Sequence, residues 1–485
     1  MLSIVNVMVS NILKFLTISL LATFSPGYAQ EIWRESFTVP GKGIWGDETG
    51  NIQTDFEDIS TWTLGYSNVQ LTNEDDYAKT VSTSGGRFEG RDINGEVCWR
   101  SEWIDIFNFE KVNIRLEASE TGSGTNEETK YLKAFFRIDN GNEIPFESNN
   151  ENVGNWGAAT AEQKEISGES LQVVVYISNH YSADKVILDE VVVSAEEKIY
   201  PPPQPGDLAI NEVLFNPFPG GEDYVEIYNK SEREFPLKNL FLASRDNDFQ
   251  LTQIYSLAGA KYLLQPKSYV AVTKNTSAVF PYYFIVCPDC FQQVAKMPSY
   301  NNDEDVVVLL NENMEIIDEL FYTDDFHNPW LADVEGVSLE RISVSEKTNL
   351  PENWTSASTE SGYGTPGYKN SQAGNADISK PDITFGPEAF SPNFDGYNDE
   401  YKIHYELDKP GYIGNVKIFD SYGRFVLQLA KNEILGTSGE ITWNGEDETG
   451  HRQTIGIYVV SVEIFNSEGE IYRYKDGVVL TDVLE

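Results

Sequence analysis

Apolar and polar residues alternate with a period of two along much of this chain, and clusters of Gly, Pro, Asn and Asp interrupt the alternation. Period two marks strands with one face buried, and the interrupting clusters mark turns. The stretch from Asp207 to Asn229 sets the pattern. Its two runs, LAINEVLF and DYVEIYN, flank Asn216-Pro217-Phe218-Pro219-Gly220-Gly221, so it reads as strand, turn and strand of an antiparallel sheet. Earlier strands are predicted over Val112–Glu117, Tyr131–Asp139, Leu171–Ser178 and Lys185–Ser194. Later ones are predicted over Glu400–Tyr405, Gly414–Asp420, Glu440–Trp443, Ile455–Phe465 and Ile471–Tyr474. The fold class is all-β.

Two stretches break the series. Tyr200-Pro201-Pro202-Pro203-Gln204-Pro205-Gly206 is too proline-rich for a sheet and reads as a stiff, extended spacer. Ser371–Lys380 (SQAGNADISK) is a polar linker ending at Pro381. At roughly 100–200 residues per domain, the pattern predicts three tandem β-sandwiches at 30–198, 207–370 and 381–485, joined by linkers at 199–206 and 371–380. The many short strands and Gly/Asn/Ser turns of the first suit a jelly roll.

The N-terminus reads as an export signal over residues 1–29. Lys14 precedes the apolar run Phe15–Phe24, and Gly27-Tyr28-Ala29 puts small residues at the cleavage positions, so the mature chain is expected to start at Gln30. About ten apolar residues are too few to span roughly 30 Å of hydrocarbon. The chain is therefore expected to be secreted or displayed on the outer surface, without a transmembrane helix. Composition adds one constraint. With 35 basic and 77 acidic residues the formal charge is −42, which repels phosphate backbones and excludes nucleic acid as a natural partner. It suits a solvated extracellular surface and also favours divalent cations.

Candidate chemistry is sparse. Cys287-Pro288-Asp289-Cys290 has the spacing of a dithiol, a zinc knuckle or a small local disulfide. No helical pattern follows it and the four histidines are scattered, so a disulfide in an exported loop is the reading adopted. Trp99 and Trp103 fall on one face of an extended CWRSEWID, either as sandwich core or as a platform for stacking a sugar. Asn393, Asp395 and Asp399 surround Gly396 in an acidic loop, a candidate calcium site or a cluster of Asx turns. An EF-hand is excluded because Lys402 stands at the twelfth position when Gly396 is the sixth. Asp324-Asp325-Phe326-His327 offers metal-ligand types but precedes the turn Asn328-Pro329-Trp330. Glu212, Glu226 and Glu340 alternate with apolar neighbours, and Arg341 is expected to reach Glu212 or Glu226 across the sheet. No nucleophile elbow, P-loop, HExxH or dinucleotide fingerprint occurs.

Three resemblances follow from longer motifs. Ile210-Asn211-Glu212-Val213, Tyr224-Val225-Glu226-Ile227-Tyr228-Asn229, Asp305–Leu310, Gly336–Ile342, Asn353–Ala357 and Gly364-Thr365-Pro366-Gly367 occur in the order found in lamin-tail domains. That likeness implies an Ig-like sandwich used for attachment, with structural roles for the three glutamates. Phe390–Asp399, Val416–Asp420, Gly423-Arg424, Trp443-Asn444-Gly445 and Ile455–Tyr458 resemble the Ig-like family of flagellar-hook-capping and gliding-motility C-terminal domains. In the gliding subset such domains address proteins to type IX secretion. The opening ESF…ISTWT, the central CWRSEWIDI and the closing SGESLQVVVYISN…DKVILDEVVV resemble jelly-roll modules at the front of secreted bacterial surface proteins. Together they imply a non-enzymatic protein of the bacterial envelope acting in attachment, scaffolding or ligand binding, with a polysaccharide or surface protein as partner. The alternative is a glycan-binding or glycan-active protein with its site in the first sandwich.

Overall fold

The structure, a computed structural model, describes residues 29–122, 128–146, 159–257, 262–374 and 378–482. The expected export segment up to residue 28 lies outside these residues. The chain is all-β: among the described residues the one α-helix, Thr276–Val279, is a single turn capped by Asn275. Two compact units divide at Ile199 and Tyr200.

The first unit sandwiches two antiparallel sheets. One has eight strands centred on Lys185–Glu197 and Phe109–Thr121. The other has six and is built around Lys130–Ile138, Ser170–Asn179, Glu96–Ser101 and Trp62–Gly65. All four strands predicted in this region form; three are extended by a residue or more, and the one predicted at Tyr131–Asp139 runs from Lys130 to Ile138. Inward residues of both sheets, such as Ile114, Leu116, Val193, Leu132 and Val175, fill one core around Trp62 and Trp99. Strand alternation places these on one side and sends Arg100, Lys133 and Tyr176 to the other.

The second unit contains two large hydrophobic cores and two smaller clusters. A six-stranded sheet, with Leu208–Leu214 between Tyr224–Asn229 and Leu339–Arg341, packs on a four-stranded sheet that includes Glu304–Asn311 and Ile316–Thr323. Ile210, Val213, Val225, Ile227, Val307, Leu309 and Leu339 lie between them. A three-stranded and a five-stranded sheet enclose the other core around Tyr401, Tyr412, Trp443 and Tyr458. The turn predicted at Asn216–Gly221 joins Leu208–Leu214 to Tyr224–Asn229 as expected.

Neither proline-rich nor polar joint is a free spacer throughout. Pro203 is buried and its carbonyl accepts from Asn311 Nδ2 at 3.1 Å, so the 199–206 stretch docks on the second unit. Gln372, in the expected 371–380 linker, is fully buried. Its polar side chain made the stretch look solvated, but strands on either side supply partners for that amide.

A sealed row of carboxylates and its covering strap

The six-stranded sheet of the second unit turns one face to its core and carries on the other a row of three acids. Glu212 stands opposite Glu226 on one neighbouring strand and opposite Glu340 on the other. Each lies beside core residues (Val213, Val225 and Ile227, Leu339), so alternation directs all three outward. A β-bulge between Ile210 and Glu212 adds Asn211 to the same side. Bulges re-aim side chains in this way. Asn211 Nδ2 donates to Glu226 Oε1 at 2.8 Å.

A strap, residues 364–372, crosses this face and caps each acid with a backbone N–H. Thr365 N–H donates to Glu212 Oε1 at 2.9 Å, Gly367 N–H to Glu226 Oε2 at 2.6 Å and Gln372 N–H to Glu340 Oε2 at 2.7 Å. Side chains complete the shell. Tyr224 Oη donates to Glu212 Oε1 at 2.7 Å, Ser338 Oγ donates to the same oxygen, and Ser371 Oγ donates to Glu340 Oε2 at 2.9 Å. Asn370 Nδ2 reaches the carbonyls of Asn211 and Arg341, both at 2.9 Å, and so ties the strap to the bulge. Two glycines allow the close approach. A Cβ at Gly364 would fall 2.7 Å from the Tyr283 ring, while Gly367 adopts φ +92° against Cys290.

All three carboxyls are 0% exposed. Among the described residues no Lys or Arg pairs with any of them. Burial pushes each pKa up, in Glu340 to about 8, with the nearby Glu212 charge adding to the effect. The geometry agrees with a proton held in the row. Thr365 Oγ1 lies 3.0 Å from Glu212 Oε2 and 2.8 Å from Glu340 Oε1. A hydroxyl has one proton to donate, so it makes full hydrogen bonds to both carboxyls when one of the two carries a proton of its own. Such a row can hold a strap and share protons internally, but it offers no oxygen to a substrate.

The strap's other edge meets the second core of the same unit. Ser371 O accepts from Thr437 N–H at 2.8 Å; Gln372 Oε1 accepts from Gly411 N–H at 3.0 Å, and Gln372 Nε2 donates to Leu435 O at 3.0 Å. Eight residues before Gln372 the same stretch begins with Gly364, so one short segment bridges the acid row and the C-terminal sheets.

The sequence pointed to the three glutamates but not to what surrounds them. Asn211 and Thr365 were legible only as members of the motifs Ile210-Asn211-Glu212-Val213 and Gly364-Thr365-Pro366-Gly367, and Gln372 only as part of the expected linker. The expected pairing of Arg341 with Glu212 or Glu226 does not form. Glu340 shares its face with Glu212, so Arg341, one residue along, projects from the opposite face. There Nη1 pairs with Asp318 Oδ2 at 2.8 Å.

The other candidate residues lie apart from the row. Trp99 and Trp103 do not make a common platform. The strand ends at Ser101, so alternation does not carry through to Trp103. Trp99 is fully buried against Trp33, Phe37 and Trp62, whereas Trp103 is half-exposed under the Arg137 guanidinium at 5.1 Å. Cys287 and Cys290 are bonded in a disulfide. It abuts the strap, with Cys290 Cβ 3.2 Å from where a Cβ on Gly367 would lie.

In the acidic loop Asp399 accepts from Phe394 N–H at 2.7 Å and from Gly396 N–H at 2.8 Å. Asp395 accepts from Tyr397 N–H at 2.8 Å, and Asn393 Oδ1 from Asp395 N–H at 3.0 Å. The Asn393 and Asp395 bonds are Asx turns, and Asp399 reaches back to close the loop, so all three side chains hold the loop's own backbone. Asp324 and Asp325 lie in a single 3-10 turn, and His327 is buried with Nδ1 2.9 Å from Ser356 Oγ, its pKa pushed down to about 4 by burial. Among the described residues no group of three or more His, Cys, Asp or Glu side chains is placed to hold a metal.

The second unit thus consists of β-sandwich modules, one of which carries a sealed acid row. Residues 201–324 match the Lamin Tail Domain family, and residues 384–480 match the CHU_C Type IX secretion signal domain family. The protein is thus a multidomain β protein with a lamin tail domain and a type IX secretion signal, which implies secretion to the cell surface. No curated protein matches the chain. Among solved structures it is similar to the CBM22-1 xylan-binding domain of Paenibacillus barcinonensis Xyn10C at 12% identity, over 36% of this chain and 100% of that one, with a TM-score of 0.21. Dimeric latent PorU from Porphyromonas gingivalis is similar at 11% identity, over 79% of this chain and 31% of that one, with a TM-score of 0.17. At these scores neither likeness carries an argument. No helix among the described residues is long and apolar enough to cross a membrane.

Proposed function

We propose that the protein is a non-enzymatic scaffold of the bacterial outer surface, made of sandwiches at 30–198, 207–370 and 381–485, which attaches the cell or its envelope to a ligand. Export starts with cleavage after Ala29, and the C-terminal sandwich directs the later step to the surface. The carrying observation is the sealing of Glu212, Glu226 and Glu340. These acids come nearest to an acid–base centre, yet each is fully buried and capped by a strap N–H. General acid–base catalysis needs a carboxyl within hydrogen-bond reach of the substrate, and this row is committed to holding residues 364–372. In the outside environment this reading requires, Cys287 and Cys290 remain oxidised.

The test is protease shaving of intact cells that express either the whole chain or a chain ending at Lys380. The whole chain is expected at the surface and the truncated chain inside the envelope. Surface display of the truncated chain, or retention of the whole one, would overturn the proposal.

A further inference from the structure

The six-stranded sheet of the first unit has an outer face that the chain's overall charge does not anticipate. Register places Lys133 opposite Tyr176, Phe135 opposite Val174, and Arg137 opposite Gln172; Val174 in turn lies opposite Arg100. Inward alternates on these strands, Leu132, Ala134, Val173 and Val175, belong to the core. The outward set therefore forms one surface across three strands. Phe135 and Tyr176 meet edge to face with ring centroids 5.6 Å apart. At one end Arg137 lies over Trp103 at 5.1 Å.

Charge distinguishes this face. Among the described residues it carries Arg100, Lys133 and Arg137 against two carboxylates, Glu96 and Glu143, on a chain with 77 acidic and 35 basic residues. Glu143 is committed to Arg100 at 3.5 Å and to the Tyr176 hydroxyl at 2.9 Å, and Glu96 accepts from Tyr131 at 2.5 Å. Among the described residues, Lys133 and Arg137 have no carboxylate partner. Lys133 rests on the Tyr131 ring at 4.5 Å, and Arg137 is braced by Gly141 O at 2.9 Å and Gln172 Oε1 at 3.1 Å. Two cations held over rings, without counter-charge, are arranged to receive an anion.

We infer that this face binds an anionic polysaccharide, with the half-exposed rings of Phe135, Tyr176 and Trp103 taking the apolar faces of sugar rings and Lys133 and Arg137 taking carboxylate groups along the polymer. A sheet face offers side chains only, since its backbone groups are consumed in the ladder. That disfavours an added peptide strand, which needs a free sheet edge, and suits a rigid polymer of rings. The inference rests on the proposed exposure of the protein outside the cell; of the Trp99–Trp103 pair it keeps Trp103, while Trp99 faces the core on the other side of the sheet.

The test is affinity electrophoresis of the mature full-length chain in gels containing polygalacturonate, alginate, neutral xylan or a neutral β-glucan. Polygalacturonate or alginate is expected to retard the protein, with retardation lost as salt rises. The double substitution Lys133→Gln/Arg137→Gln is expected to weaken binding at least tenfold at unchanged Tm, as is Phe135→Leu. Three results would each overturn the inference: no retardation by either anionic polymer, undiminished binding by both variants, or equal retardation by the neutral polymers. Surface shaving is read separately. A displayed chain that binds no anionic polymer sinks this site alone, whereas a retained chain that binds polygalacturonate in vitro sinks only the surface reading.

Discussion

Two outward sheet faces of this molecule start from the same alternating pattern and reach opposite ends. On the second unit, Glu212, Glu226 and Glu340 line up across three strands and are buried beneath residues 364–372. On the first, Arg100, Lys133, Phe135, Arg137 and Tyr176 line up across three strands and stay partly in solvent. What separates them is the cover. Like charges in one row repel and lose hydration, so the acid face is stable only with protons retained and N–H donors supplied by a strap. The mixed face neutralises part of its charge internally and needs no cover. The lesson is that a polar outward row does not by itself indicate a site; whether the chain's own backbone has claimed its hydrogen bonds decides that.

The comparison can be broken most forcefully at Glu212. Glu212→Ala leaves Tyr224, Ser338 and the Thr365 N–H without their acceptor in a buried site. It is expected to destabilise the second unit by about 3–5 kcal/mol in denaturant titrations, since several buried donors are orphaned together. A cost below about 0.5 kcal/mol, the usual range for a surface change, would mean that the row is not the strap's anchor.

Next in size is Gly367→Ala, which places a Cβ 3.2 Å from Cys290 Cβ at a φ of +92°. A loss of roughly 1–3 kcal/mol is expected, because a left-handed φ and local crowding act together. The same change at Gly423, also at positive φ (+77°) but with nothing near its Cβ, should cost less. Equal costs would show that strap packing contributes nothing beyond backbone strain.

A smaller effect follows from pH. Glu340, with its pKa raised from 4.5 to about 8, keeps its proton in the folded protein where the unfolded chain has lost it. This contribution is complete below about pH 4.5 and is lost as pH rises toward 8. His327 runs the other way: lowered from 6.5 to about 4, it removes stability as pH falls through that window. Thermal melts should show Glu340→Gln flattening the decline between pH 5 and pH 8 by a few °C, where 1 kcal/mol is worth ~2–4 °C for a unit of this size. An unchanged profile would place the retained proton elsewhere. The smallest effect belongs to the open face, where Lys133→Ala should alter stability by no more than about 0.5 kcal/mol. A larger loss would show that this face, too, is structural.

Much of the fold was legible because strand periodicity is local. The runs Leu171–Ser178 and Lys185–Ser194 need only their own residues to show which side is apolar, and Asn216–Gly221 needs only its own turn formers. Glu212, Glu226 and Glu340 were legible as outward-facing acids for the same reason. Their environment was not. The bulge at Asn211 shifts register by one residue, and the strap caps Glu212 from 153 residues away in sequence. Trp103 was misplaced because alternation was carried past the end of its strand at Ser101. Ser371 and Gln372 looked like linker because their partners, Thr437, Leu435 and Gly411, lie in a later sheet.

The amino-acid sequence alone therefore determined an all-β chain, its strands, its main turns and the face each side chain takes, because those follow from neighbours two residues apart. Tertiary structure alone decided which outward face was sealed and which was left open. That choice depends on whether a distant segment brings N–H donors to a charged row, and pairings of that range leave no periodic trace in the residues themselves.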